Sequence, residues 1–170
     1  MMEQLSAAAV VAERALIVDE LRRAWDGDPW HGDPVRRILD GITAEQAAAR
    51  PLAGAHGIWQ IVLHMTAWTR EVTRRLRDRV AREPADGDWP AVSGGGEGEW
   101  RTAVDALAQA HAELVAAAAE FPPAELEQAV GDERDRQLGA GVSYAVMLHG
   151  LAQHHAYHAG QIALLRKSFG

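Results

Sequence analysis

The chain contains no cysteine. This excludes thiolate metal sites, disulfide bonds and a cysteine nucleophile, and it fits the reducing cytoplasm, where we expect the protein to reside. No apolar run approaches the roughly 18 residues of a membrane-spanning helix, and the first residues lack the basic and apolar segments of a signal peptide. We therefore expect no membrane partner.

The chain also has fewer basic than acidic residues, with 17 Lys and Arg against 24 Asp and Glu, which gives a net charge of −7. A chain of this charge does not attract phosphate backbones, so nucleic acid is not an expected partner. One arginine-rich helix end stands out, and nearby acidic residues partly neutralise it. We interpret it as a solvated helix end or a subunit contact, and a homodimer through a bundle face is compatible with it. These arginines are Arg70, Arg74, Arg75, Arg77, Arg79 and Arg82.

No stretch alternates long enough between apolar and polar residues to predict a sheet, and helical periodicity dominates. The length predicts one domain over residues 1–170. Long helices are predicted over about 4–25, 58–82, 99–120 and 142–167. The expected fold is all-α, a four-helix bundle with a long, partly helical connection between the first and second long helices.

Local signals add detail to this fold. Asp33 and Pro34 resemble an N-cap and first residue of a short helix, and the segment from Thr43 to Gln46 resembles a capping box for a second one. Residues 83–98 carry two prolines and five glycines and are predicted to form a loop, with Trp89 and Trp100 fixing its ends. The glycine-punctuated segment 131–141 is also predicted as a loop. The first helix is expected to bury Leu5, Ala9, Ala12, Leu16 and residues 18–21.

Three histidines lie within five residues near the C-terminus: His154, His155 and His158. Residues four apart share one helix face, so His154 and His158 can direct ring nitrogens at the same ion. His155 and His158, three apart, can also share a face, and periodicity does not choose between the two pairs. Neutral imidazole suits zinc, nickel, copper and iron.

Two ligands seldom make a tight site, so a third is expected elsewhere. The best candidate is His64, one turn from Ile61 and Trp68 at the edge of an apolar helix face. The remaining histidines are weaker candidates. His56, His31 and His149 are expected as pocket walls, caps or surface residues, and His111 as an exposed residue.

Two long segments, Gly57–Trp68 and His149–Ile162, together with residues 30–32 and 43–51, resemble the DinB-like superfamily. The resemblance implies a four-helix bundle with a long first connection. It also implies a divalent metal held by one histidine on the second long helix and a His-x-x-x-His pair on the fourth. Carried onto this chain, the ligands are His64, His154 and His158. Relatives often carry aspartate at the position of His155, which leaves His155 as an alternative second ligand.

Three neutral ligands leave coordination positions for water or substrate and keep the full charge of the ion, which favours a catalytic site. No glutamate follows His154, so the motif of zinc proteases is absent. The resemblance implies a thiol-dependent S-transferase or isomerase that uses a low-molecular-weight thiol, such as mycothiol or bacillithiol, on a small-molecule substrate. Alternatives are a metal-dependent hydrolase or a non-catalytic metal-binding protein of the stress response.

Zinc or nickel is the expected metal, with iron or manganese as alternatives, since three imidazoles accept all of them. Further residues are candidates for the surroundings of the ion. Tyr157 and Gln161 flank the ligands and can orient a substrate or a ligand ring. The remaining candidates for pocket walls are His155, Trp59, Trp68, His56 and His31.

Overall fold

The computed structural model describes residues 2–131 and 133–170. Within these ranges it contains helices and isolated bridges but no strand, so the all-α prediction is confirmed. None of the helices described is both long and apolar enough to cross a membrane. The helices are α1 (Met2–Asp26), α2 (Val35–Leu39), α3 (Ala44–Ala48), α4 (Ile58–Asp78), α5 (Glu97–Glu120) and α6 (Tyr144–Lys167), with a 3₁₀ turn at Pro123–Glu125.

The four long helices form a bundle in which α1 and α4 each pack against both α5 and α6. Trp59 contacts Trp100 near the start of α4 and α5, so these two helices run parallel. In contrast, α4 and α6 run antiparallel, because Ile58 at the start of α4 clusters with Leu165 at the end of α6, whereas Leu76 clusters with Tyr144. Since α4 and α5 point the same way, the segment between them has to return along the bundle. This explains why that loop is long.

Two apolar clusters occupy opposite ends of the bundle. The first contains Ile61 and Met65 of α4, and the second contains Val72 of the same helix. A polar layer of buried side chains lies between them, and it is here that the histidines gather. The buried members of this layer are His64, Thr69, His111, His155 and His158.

The short helices match the predicted capping signals only in part. The capping box is confirmed, because the Thr43 hydroxyl accepts from the Gln46 amide and the Gln46 side chain accepts from the Thr43 amide. The predicted N-cap at Asp33 is wrong. Pro34 occupies the N-cap position without a side-chain hydrogen bond, and Asp33 instead pairs with Arg37 at 3.1 Å.

The apolar face predicted for the first helix is correct in part. Val18 and Leu21 are buried as predicted, but Leu16 is 55% exposed, and Ala9 and Ala12 are exposed as well. The buried face of α1 also includes two residues that were not predicted, Ile17 and Ala24. The side chain of Leu5 lies outside the described part of the structure.

A buried ion pair ends α4 earlier than predicted, at Asp78. Glu71 is 2% exposed and accepts hydrogen bonds from Arg74, from Arg75 at 2.7 Å and from the backbone amide of Arg82 at 3.0 Å. The guanidinium of Arg75 in turn donates to the Arg82 carbonyl at 2.8 Å. These bonds fold the chain back onto the helix. The interpretation of these arginines as a solvated helix end is therefore wrong for Arg75, which is 1% exposed.

Candidate metal centre

Three imidazoles converge between α4 and α6. The Nε2 atom of His154 lies 2.9 Å from Nε2 of His64 and 3.0 Å from Nε2 of His158. One ring nitrogen from each residue falls within 4.8 Å of the other two. His154 and His158 reach this point from successive turns of α6, while His64 reaches it from the antiparallel α4. The donors come from two rigid helices rather than from a loop.

The return loop between α4 and α5 fixes the ring of His64. Its Nδ1–H donates to the backbone carbonyl of Asp88 at 2.6 Å, and the Asp88 carboxylate accepts from Trp68 Nε1 at 2.6 Å. The next residue, Trp89, stacks on His64 with ring centroids 3.9 Å apart and on His56 at 3.6 Å. The predicted role of Trp89 in fixing the loop is confirmed, and Trp100 fixes the other end by donating to the Ile42 carbonyl.

A second outer hydrogen bond fixes the ring of His158. Its Nδ1 lies 2.6 Å from Oε1 of Gln161, one turn further along α6. Since a carbonyl oxygen only accepts, His64 and His158 carry their protons on Nδ1 when they are neutral. Their Nε2 lone pairs then face the shared point. Metal-ligating histidines are oriented by this kind of bond from the second ring nitrogen.

The ring protons of the three histidines cannot satisfy all the Nε2 atoms that meet here unless a further group is present. If His154 carries a proton on Nε2, it can donate to only one of the two facing lone pairs, and the second stays unpaired in a part-buried site. Nδ1 of His154 has no partner among the described residues. A cation that accepts three lone pairs removes the conflict. The donor set fits a divalent metal that prefers nitrogen ligands.

Burial also prepares the three rings for a metal. Desolvation lowers the pKa of His64, partly offset by its bond to Asp88. Desolvation, followed by the proximity of His158 and His64, lowers the pKa of His154 to about 3. The pKa of His158 falls to about 4, mainly by desolvation, although its bond to Gln161 opposes this. All three rings are neutral near pH 7 and need not release protons to bind an ion.

His155 does not join the three converging nitrogens. It is 0% exposed, and its Nε2 lies 3.0 Å from the hydroxyl of Thr69, which itself donates to the Met65 carbonyl. Spacing alone left His154 and His155 as alternatives, and the structure places only His154 next to His64. His155 faces the interior of the bundle instead, with its ring 5.6 Å from that of His111.

The prediction that His111 is exposed is wrong. It is 3% exposed and stacks on Trp25 at 5.1 Å. Its position explains this, because it lies one turn from both Leu107 and Leu114 on the buried face of α5. A contact with the Leu21 backbone opposes the desolvation that lowers its pKa to about 4, but neither ring nitrogen has a well-formed hydrogen bond within the described residues.

A cavity of about 520 Å³ opens beside the three histidines. Trp68 and Tyr157, both predicted neighbours of the ion, are among its lining residues, and Tyr157 is 65% exposed at the rim. Apolar side chains form most of the remaining wall. These are Val72, Leu138, Val142, Val146, Met147 and Leu151.

Other candidate residues lie away from this cavity. Trp59 is buried in the core against Trp100, so it packs the bundle rather than walling the site. His56 lies behind Trp89 and contacts Gln60. His31 is exposed and borders a separate cavity.

That separate cavity is also bordered by His149, on the far side of α6. Its ring nitrogens contact Glu13 and Glu20, each at 2.8 Å. These contacts fasten α6 to α1, so His149 has a role in helix packing.

Sequence patterns did not single out several residues around the site. Asp88 and the cavity-lining Arg136 and Leu138 lie in loops without periodicity, and only the topology brings them to the histidines. Glu71 and Arg75, four residues apart on one helix, were spaced for an ion pair, and this signal was available.

Comparison with known families agrees with this architecture. The sequence model of the DinB superfamily matches residues 30–162, which span α2 to most of α6 and include all three converging histidines. The chain belongs to the DinB superfamily. No curated protein and no solved structure matches it.

Proposed function

We propose that this protein is a metal-dependent enzyme that binds one divalent ion, zinc or nickel, through His64, His154 and His158. The proposed reaction is S-transfer or isomerisation with a low-molecular-weight thiol as cosubstrate. The observation that carries the proposal is the convergence of three neutral Nε2 donors at the wall of an open cavity. Structural zinc sites are closed by four protein ligands, whereas catalytic sites keep a position open.

When bound, the ion would supply a double positive charge that lowers the pKa of a coordinated thiol or water. The protein contributes geometry around it. Asp88 and Gln161 hold two of the imidazoles in the required tautomer and orientation. Trp89 covers one side of the site by stacking on His64, which limits the access of water. The hydroxyl of Tyr157, at the rim of the cavity, is placed to hold or donate a proton to a bound substrate.

The lining of the cavity favours thiol chemistry over hydrolysis. None of the described residues that line it is an aspartate or glutamate. A hydrolase that activates its water with a carboxylate base would need such a residue near the reacting atoms. A thiol needs no protein base here once its pKa is lowered, and the enzyme needs no cysteine of its own. This agrees with a chain that has none.

The test is a turnover assay on protein reloaded with zinc or nickel. Glutathione, mycothiol and bacillithiol are each supplied with the electrophile 1-chloro-2,4-dinitrobenzene, and the S-aryl product is followed by absorbance. We expect metal-dependent turnover with at least one thiol. His158→Ala should abolish it, since this removes a ligand. His149→Ala is the matched control, because this residue lies on the same helix but contacts Glu13 and Glu20 instead.

Equal turnover in the His158→Ala variant, or turnover in the presence of a chelator, would contradict the proposal. Stoichiometric metal binding without consumption of any thiol would support the non-catalytic alternative. Hydrolysis of p-nitrophenyl acetate at the same site, with no thiol reaction, would support the hydrolase.

A further inference from the structure

The cavity beside the histidines extends far beyond them along the bundle. On α4 its lining residues recur every three or four positions from His64 to Arg75, which places them on one helix face. These two residues are eleven positions apart, about 16 Å of helix axis. The antiparallel α6 forms the opposite wall. It contributes His158, His154, Leu151, Gly150, Met147 and Val146. The cavity is therefore a groove with the three histidines at one end.

The far end of the groove is positively charged. Among the described lining residues the charged ones are Arg75 and Arg136, although the chain as a whole carries −7. Arg75 donates from Nε to Glu71 and from Nη2 to the Arg82 carbonyl, and no partner for its Nη1 is found among the described residues. Glu71 is the shared partner of Arg74 and Arg75, so these three side chains together keep one net positive charge.

A glycine keeps the middle of the groove open. Gly150 lies in the interior of α6, where glycine is less favourable than alanine. A Cβ atom built at this position meets nothing within 4 Å, and Gly150 lines the groove. A side chain at this position would extend from the lining of the groove into open space. Gly160 on the same helix is equally unobstructed but is not part of the lining.

We infer that this groove binds an elongated amphipathic carboxylate. Its carboxylate pairs with Arg75, with Arg136 at the rim, and its apolar chain lies along Val72 and the facing wall of α6. Its other end carries an atom that binds metal, such as a thiol, and this last element rests on the proposed function. The Nη1 atom of Arg75 and the guanidinium of Arg136 can each donate a charge-assisted hydrogen bond to such a carboxylate. A neutral or cationic ligand of the same length would leave the arginine end without a counter-charge.

The test is isothermal titration calorimetry on zinc-loaded protein with ω-mercaptoalkanoates, from mercaptopropionate to mercaptoundecanoate. The mercaptoalkanols of equal length serve as neutral controls. Affinity should rise by about fourfold for each methylene that the groove buries. The acid should exceed the alcohol by about tenfold once the chain is long enough to reach Arg75.

Three variants, one of them a control, locate the binding while preserving the metal ligands and the buried ion pair. Gly150→Leu should abolish the gain with chain length, whereas Gly160→Leu, which adds the same side chain outside the groove, should bind like the wild type. Arg136→Gln should reduce the preference for acid over alcohol. Equal binding of acids and alcohols at every length would overturn the inference. Unchanged binding in Gly150→Leu would overturn it as well.

A parallel titration on chelator-treated protein separates this inference from the proposed function. Decanoate and decanol replace the thiols, so no metal is involved. A preference for decanoate that Gly150→Leu removes would support the groove even if the protein proves to bind no metal. If decanoate and decanol bind equally, the inference is wrong, whatever the turnover assay shows.

Discussion

Replacement of Gln161 by leucine is expected to weaken metal binding without touching a ligand. The Gln161 carbonyl accepts from Nδ1 of His158 at 2.6 Å and so keeps the Nε2 lone pair directed at the site. Without this acceptor, the proton can move to Nε2 and compete with the ion. Loss of such an outer partner typically costs 10- to 100-fold in metal affinity, which corresponds to about 1.4–2.7 kcal/mol. Gln161→Glu should preserve or increase the affinity, because a carboxylate is a stronger acceptor.

The assay is a competition titration of Zn²⁺ between each variant and a chromogenic chelator near pH 7.5. Gln153→Leu is the matched control, because this exposed glutamine lies on the same helix and borders the separate cavity near His149. Zinc affinities within twofold of the wild type in Gln161→Leu would refute the role of the outer hydrogen bond. Weaker binding in Gln161→Glu than in Gln161→Leu would refute it too.

Buried charges and imidazoles give further predictions. Glu71→Gln should destabilise the fold by about 3–5 kcal/mol in urea unfolding, since it leaves buried Arg75 without a counter-charge; a loss below about 1 kcal/mol would contradict this. The folded-state pKa of His111, about 4, lies below the unfolded value of 6.5, so its stabilising contribution is present above pH 6.5 and is lost on acidification to pH 4. Between pH 6.5 and pH 4, the free energy of unfolding of His111→Phe, measured in urea, should therefore fall by about 3 kcal/mol less than that of the wild type. Equal losses of stability in the two proteins would contradict this. Zinc at 100 times its Kd should raise Tm by about 5–10 °C, but not in His154→Ala; an equal rise in that variant would argue against the site.

Sequence patterns predicted the parts of the fold that depend on local interactions. Periodicity located the long helices, and the Thr43 capping box was found because its two hydrogen bonds involve residues three apart. Helix ends that depend on tertiary contacts were less well predicted. The end of α4 at Asp78 is set by hydrogen bonds between Arg82 and the buried Glu71–Arg75 pair. The spacing of Glu71 and Arg75 indicates the pair, but a helical pattern does not reveal its contacts with Arg82.

The candidate site shows the same division. Local spacing allowed either His154 or His155 to share a face with His158, and only family resemblance chose between them. The packing of α6 against α4 decides which ring meets His64, and this is a long-range property. Asp88 reaches the site because parallel helices require a returning loop, so no local pattern could have identified it.

The most direct test of the account is elemental analysis of zinc and nickel per chain after reloading, for the wild type, His154→Ala and His155→Leu. His155→Leu should still fold, because Thr69 keeps its hydrogen bond to the Met65 carbonyl. We predict a single ion per chain in the wild type and in His155→Leu, and none in His154→Ala. A wild type that holds no ion, or a His154→Ala variant that retains it, would contradict the three-histidine site.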